Sequence, residues 1–463
     1  MTWDRLSPRA LERLQGEQLD QWVNHEVKPF SQYWRKRIGV RPVTTLADLR
    51  TLDVVTEAEV ASAGGPGNPD LLLLPTEDGF KRHASRADLL AASREVGKGG
   101  EQGRRAALFR RYKPVHVHEA GVDALLAVAY TRSDLDRLHL AGARLTEVLG
   151  LGADDSLVNA VPAGPSVRFW GLYHAALAAR MTALHPRGKG EDPVRPVLRA
   201  LALLPATALA VPVAEAQQLL TALAGRVTVP GLRTVVTVGP PPTAEQRAAL
   251  ARLAERLSGR PVRIQAVWAP ETSRTLWGEC RPASADPHEA TYGLHTYPDL
   301  EVVEVRDLTT GAAAGEAEPG EIVLTSLGWR GTALVRFATG AWTGGLTSTT
   351  PCPACGRTVP RLAPAAADGA WQPRVAARGA TVRADLRLAY RVLDSEALAR
   401  IGVRHWSLRP QGTQLVLAVD GDADRAVLLQ LGQQVSQAVG ADVAVRVDAQ
   451  LAQSRPQVGR AGG

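Results

Sequence analysis

Three cysteines occur in the 463 residues, and their placement is the strongest chemical signal in the chain. Cys352 and Cys355 lie in PCPACGR, a turn with Pro inside it and Gly after it. Such a knuckle points two thiolates and its backbone N–H groups at one centre, as tetrahedral zinc requires. Cys280 is the remaining cysteine, and His288 and His295 follow it. A Cys3His set would use every thiol in the chain, and four protein ligands make a closed, structural site. Two other readings stand beside it: a C-x-x-C redox pair at a strand-to-helix turn, and small core residues with no chemistry. The Pro and Gly favour metal.

The elements that must hold these residues come from the apolar periodicity. Residues 1–60 read as helical, with Leu11, Leu14, Leu19, Trp22 and Val27 on one face. Residues 62–70, ASAGGPGNP, are a loop by composition. From about 114 to 350, runs such as LLAVAY, SLVNAV, TALAVPV, RTVVTVG and VRIQAVW lie between Ala/Leu-rich helical stretches. That repetition predicts an α/β domain with a largely parallel sheet. LEVVEVRD, GEIVLTSL and ALVRFAT follow as antiparallel strands, and 363–373 reads as a linker. The remainder reads as a small α+β domain. The expected division is 1–374 and 375–463.

Composition excludes several classes. The chain is 45% apolar and 22% charged, an ordinary globular balance. No apolar h-region opens it, so a secretory signal is not expected. The apolar stretch VLRALALLPATALAVPVAEAQQLL carries an Arg and two prolines, and reads as buried helix and strand rather than a membrane span. The cytoplasm is the default compartment. Net charge is +7, yet only six of 54 basic residues are lysines and arginine is spread over the whole length. A nucleic-acid footprint is a clustered basic face. The densest cluster, Arg104, Arg105, Arg110, Arg111 and Lys113, reads as a solvated helix face. A zinc-containing nucleic-acid binder therefore ranks behind the readings below.

Several segments together resemble one family. ECRPASADPHEATYGLHTYPDLEVVEV, then GEIVLTSL, ALVRFATG and PCPACGR stand in the order seen in phenylacetate-CoA ligases, members of the adenylate-forming acyl-CoA synthetase superfamily. The opening QWVNHEVKPFSQYWRKRIGVRPVTTLADLRTL is similar as well, so the resemblance covers nearly the full chain. It implies a large adenylate-forming-type domain with parallel and antiparallel sheets, plus a small α+β domain. It also selects His295, in Gly293-Leu294-His295, as the fourth zinc ligand. The implied activity is ATP·Mg2+-dependent adenylation of an aryl or acyl carboxylate, then transfer to CoA. A homodimer is compatible with the resemblance, and no membrane is implied.

The same resemblance exposes what is missing. The phosphate loop should precede YTRSDLD, but Val115–Ala129 has no Ser or Thr, carries Glu119 and Asp123, and keeps only Gly121. The acidic residue of the Y-G-x-[ST]-E motif survives as Glu271, the one family acid left for a catalytic role. The R-Y-R-T-G-D motif keeps Arg336 and Thr339 as nucleotide contacts, but Ala341 stands where the ribose-binding Asp belongs. No lysine follows Lys189, so the C-terminal catalytic Lys is absent, with Gln457 or Arg460 nearest its place. Phe169, Trp170, Tyr173 and Trp268 are candidates for lining an apolar pocket, and ordinary core packing explains them equally well. The leading expectation is a phenylacetate-CoA-ligase-like protein, impaired in adenylation, with structural zinc and a binding or assembly role. The alternative is an active ligase with a rearranged site, aided by His116, His118 or Lys113.

Overall fold

The computed structural model describes residues 3–62, 71–96, 100–120, 126–164, 166–186, 194–280, 291–307, 310–363, 374–377, 380–384, 386–393, 398 and 400–448. Gly121, Asp123, Lys189, His288, Gln457, Arg460 and nearly all of the loop at 62–70 and the linker at 363–373 lie outside them.

The chain opens with the helix Pro8–Leu19, capped by the Ser7 hydroxyl, which runs into a wide-turn helical segment Asp20–Val27. Leu11, Leu19, Trp22 and Val27 are buried, as their spacing predicts. Leu19, Trp22 and Val27 pack with Phe30, Trp34 and Trp329. This layer is pinned by polar contacts: the Trp22 and Trp34 indoles donate to the Trp329 and Ala333 carbonyls, and Arg330 bridges Glu26 and Asp88.

Among the described residues the central sheet has nine strands, and its order explains where the cysteines meet. β3 (Ser156–Asn159), β4 (Thr182–Leu184), β5 (Ala208–Pro212), β6 (Thr234–Val238) and β7 (Arg263–Trp268) form its parallel half, in the order β7-β6-β5-β3-β4. β5 and β6 are apolar and buried almost throughout, as strands covered on both faces must be. Helices Arg132–Leu149, Val167–Ala178, Val213–Leu223 and Ala244–Ser258 cover them. Beyond β7 the sheet turns antiparallel through β8 (Trp277–Glu279), β9 (Leu294–His295), β14 (Arg361–Leu362) and β13 (Leu346–Thr347).

Two smaller sheets flank it. β10 (Glu301–Arg306), β11 (Gly320–Ser326) and β12 (Phe337–Thr343) are antiparallel; the first two match the runs read from the sequence, while the third begins only at Phe337, late in ALVRFAT, and continues to Thr343. LLAVAY is a correction: Leu126–Tyr130 (β2) does not join the parallel sheet. It forms an antiparallel hairpin with His116–Ala120 (β1). β2 is almost wholly buried against the N-terminal layer, so it carries the apolar run of a central strand without being one.

The C-terminal residues form a hairpin, β15 (Arg374–Ala377) and β16 (Ala380–Arg383), and a sheet of β17 (Val403–Gln411), β18 (Gln414–Gly421) and β19 (Val443–Val447). The helix Arg425–Val439 packs on that sheet, in a core cluster that also takes in Val213. No described helix is long and apolar enough to cross a membrane.

Candidate functional site

The antiparallel end of the large sheet assembles the cysteine cluster. Cys280 follows β8, His295 lies on β9, and the knuckle runs between β13 and β14. Pairing of Gly278 with His295, and of His295 with Arg361, brings these elements side by side. Within the knuckle the Gly356 amide donates to the Cys352 carbonyl at 2.8 Å, and the Cys352 amide donates to the Arg357 carbonyl at 2.8 Å. Gly356 sits at φ +69°, where glycine is unstrained. The N-terminal segment clamps the turn from outside: Arg5 donates to the Cys355 carbonyl at 3.0 Å, and Asp4 pairs with Arg357 at 2.8 Å.

The four donor atoms lie within 4.8 Å of one another. Cys280 Sγ is 3.7 Å from Cys352 Sγ, and Cys355 Sγ is 3.6 Å from His295 Nε2. All three cysteines are unbridged. Tetrahedral zinc with bonds near 2.3 Å spaces its sulfurs by about 3.8 Å, so the donor set fits the ion in number, type and separation. Cys280, His295 and Cys352 are buried, and the four protein donors would fill the positions of a tetrahedral ion. Hydrogen bonding to Cys352 and Cys355 pushes the Cys280 thiol up, and the same crowding holds the Cys355 thiol well below its ordinary value.

The second group of candidates surrounds the β1–β2 hairpin. Glu271, in the loop after β7, does not stand open to a cation. Its carboxylate accepts from Ser166 Oγ at 3.0 and 3.3 Å and lies 2.7 Å from Arg168 Nε. Ser166 caps the helix Val167–Ala178, so the carboxylate also sits at the positive end of a helix dipole. His118 is buried, and its Nε2 lies 3.0 Å from the Glu271 carbonyl, which makes that nitrogen the donor. Burial drives His118 down to about 4 despite that bond, so it is neutral at pH 7 and brings no charge to a phosphate.

Arg336 and Thr339 spend their polar atoms inside the fold. The Arg336 guanidinium grips the Glu304 carboxylate at 3.2 and 3.3 Å and donates to the Arg50 and Leu52 carbonyls. Thr339 Oγ1 donates to the Ile322 carbonyl at 2.9 Å. Ala341 is buried in the main apolar cluster.

Phe169, Trp170 and Tyr173 do come together on one helix, with ring centroids 5.5 to 6.3 Å apart. His116 meets Trp170 at 4.8 Å, and His185 meets Tyr173 at 5.4 Å. Trp268 is fully buried against Trp277, beneath this group. Sequence reasoning missed His185, Ser166 and Arg168. The Ser-Val-Arg start of an aromatic helix was the available signal, since Ser is a preferred cap. The basic cluster is largely ion-paired rather than a free patch: Arg104 binds Glu77, Arg105 binds Glu101 and Arg111 binds Asp88. It borders a cavity of about 660 Å3 floored by Leu108, Phe109 and Tyr112, and lined by none of the predicted pocket residues.

The fold is that of the adenylate-forming ligases: mixed parallel and antiparallel sheets with a smaller C-terminal unit. No protein-family model matches the chain, and no curated protein does. Solved structures do. A 2-hydroxyisobutyryl-CoA ligase in the postadenylation state with 2-HIB-AMP superposes with a TM-score of 0.70 at 15% identity, over 99% of this chain and 90% of that one. The same ligase with 2-HIB-AMP and CoA in the thioesterification state gives 0.63 at 16% identity, over the same shares, 99% and 90%. The anthranilate CoA ligase AuaEII with anthranoyl-AMP gives 0.50 at 13% identity, over 74% of this chain and 64% of that one. These likenesses define the class of fold.

Proposed function

We propose that this is a phenylacetate-CoA-ligase-like protein impaired in adenylation, built of a large unit (1–374) and a small unit (375–463). It keeps a structural zinc held by Cys280, His295, Cys352 and Cys355, and acts through binding or assembly. The observation that carries this reading is the state of Glu271: its carboxylate is held by Ser166 and Arg168, so an internal cation stands against the surviving acid. Ala341 in the apolar core and an acidic, hydroxyl-free Val115–Ala129 segment support it from two other directions. A phosphate cradle needs preorganised donors and no adjacent carboxylates. Zinc, when bound, supplies rigid cross-linking of β8, β9 and the knuckle, while Arg357 and Arg5 orient the turn from outside. Calorimetric titration with ATP·Mg2+ tests the proposal: binding weaker than about 10 μM is expected, and tighter binding overturns it.

A second reading, an active ligase adenylating an aryl or acyl carboxylate before transfer to CoA, is favoured by one observation. The likeness spans 99% of this chain and 90% of structures solved with 2-HIB-AMP. The two readings part at the chemistry, and ATP–pyrophosphate exchange decides between them.

A further inference from the structure

Arg274 is a buried cation that this fold leaves without a counter-ion. It is 2% exposed, and among the described residues no ion pair includes it. One amino group, Nη2, donates to the Thr332 carbonyl. Nε and Nη1 are buried and have no hydrogen-bond partner among the described residues. The guanidinium lies 5.7 Å from the Tyr130 ring centroid and 5.3 Å from that of Trp329, so aromatic faces rather than carboxylates surround it. The acids whose field reaches this region are committed elsewhere. Asp134 accepts from the Thr131, Arg330 and Gly331 amides at 2.7 to 2.8 Å, and Glu271 is held by Ser166 and Arg168. Burying a charge without a partner costs several kcal/mol in a folded protein, and aromatic faces offset only part of that.

One more polar atom of this loop, Thr272 Oγ1, is buried with no partner among the described residues. A buried guanidinium with two unpaired N–H groups is what a missing anion leaves behind. We propose that Arg274 anchors an oxyanion-binding site where β2, the loop 270–276 and the loop 328–332 meet, with Thr272 as a second donor from the same loop. The anion is a carboxylate or a phosphate, which share the geometry a guanidinium reads. Binding is reversible, and it does not depend on whether the chain adenylates anything.

The test is the thermal midpoint of the full chain at pH 7 and constant ionic strength, with sodium chloride replaced stepwise by acetate or by inorganic phosphate. The wild type should show a saturable rise of about 2–4 °C at thirty-fold excess over Kd with at least one of the two. Acetate alone assigns the site to a carboxylate, and phosphate alone assigns it to a phosphate. Arg274→Met should abolish the rise, while Arg105→Met, on the exposed helix face, should keep it. If Arg274→Met does not fold, Arg274→Lys keeps the charge but loses the fork, and the anion should bind at least about tenfold more weakly. No saturable rise in the wild type, a rise that survives Arg274→Met, or unchanged affinity in Arg274→Lys overturns the proposal.

Discussion

Glu301 is a buried carboxyl with no cation paired to it among the described residues, and its removal should stabilise the protein in a pH-dependent way. It is 3% exposed at the start of β10. Oε1 accepts from the Trp277 indole at 2.5 Å and the Tyr297 amide at 3.3 Å, and Oε2 accepts from Thr275 Oγ1 at 2.9 Å. Burial outweighs these donors and raises the group from 4.5 to about 7. Below pH 4.5 the carboxyl is protonated whether the chain is folded or not, and its contribution to stability is complete. As pH climbs toward 7 the unfolded chain sheds the proton and the folded chain does not, so stability is lost until the folded carboxyl also ionises. That interval is worth about 3 kcal/mol. In Glu301→Gln the amide oxygen keeps the Trp277 and Tyr297 donors. The amide nitrogen donates to Thr275 Oγ1, whose proton turns to Ser273 Oγ, 3.2 Å away. The variant's midpoint relative to wild type should therefore rise by about 3–6 °C between pH 5 and pH 8. Parallel pH profiles, or a variant that loses ground at pH 8, would refute the argument.

Three further outcomes follow from other parts of the molecule. Wild-type protein purified in reducing buffer should carry one equivalent of zinc, and Cys352→Ser less than half; losing one of four ligands should cost about 3–4 kcal/mol, read from the urea midpoint. Gly331→Ala should destabilise by about 1–3 kcal/mol, because a Cβ there would lie 1.9 Å from the Ala129 carbonyl oxygen, a backbone atom of β2. Deleting Ser454–Gly463 should leave any residual adenylation unchanged, since the segment carries no lysine; lost activity in a pyrophosphate-exchange assay would show that Gln457 or Arg460 works in its place.

The parallel half of the sheet was legible because β5, β6 and β7 are short apolar runs between helices with clear caps, such as Thr131 and Thr243. The cysteine cluster was legible for a different reason: thiols are rare here, so two in a knuckle and one upstream leave few arrangements. The hairpin β1–β2 was misread because β2 is a short apolar run, buried at Leu126, Val128, Ala129 and Tyr130, which periodicity cannot tell from a central parallel strand. Arg274 and Glu301 were silent in the sequence. One Arg among 48 and one Glu in an alternating strand carry no mark of burial, which is decided by the rings of Tyr130, Trp329 and Trp277 arriving from distant segments. Arg168 was equally silent, because its pairing with Glu271 spans 103 residues and no local pattern encodes it.

ATP–pyrophosphate exchange with a panel of aryl and acyl carboxylates tests the central claim most directly, because exchange reports adenylate formation and nothing downstream of it. The full chain, supplied with zinc and with Mg2+ in excess, should give exchange no faster than a protein-free control for every acid offered. Carboxylate-dependent exchange above that control, abolished by Glu271→Gln, would contradict the account and establish an active ligase with a rearranged site.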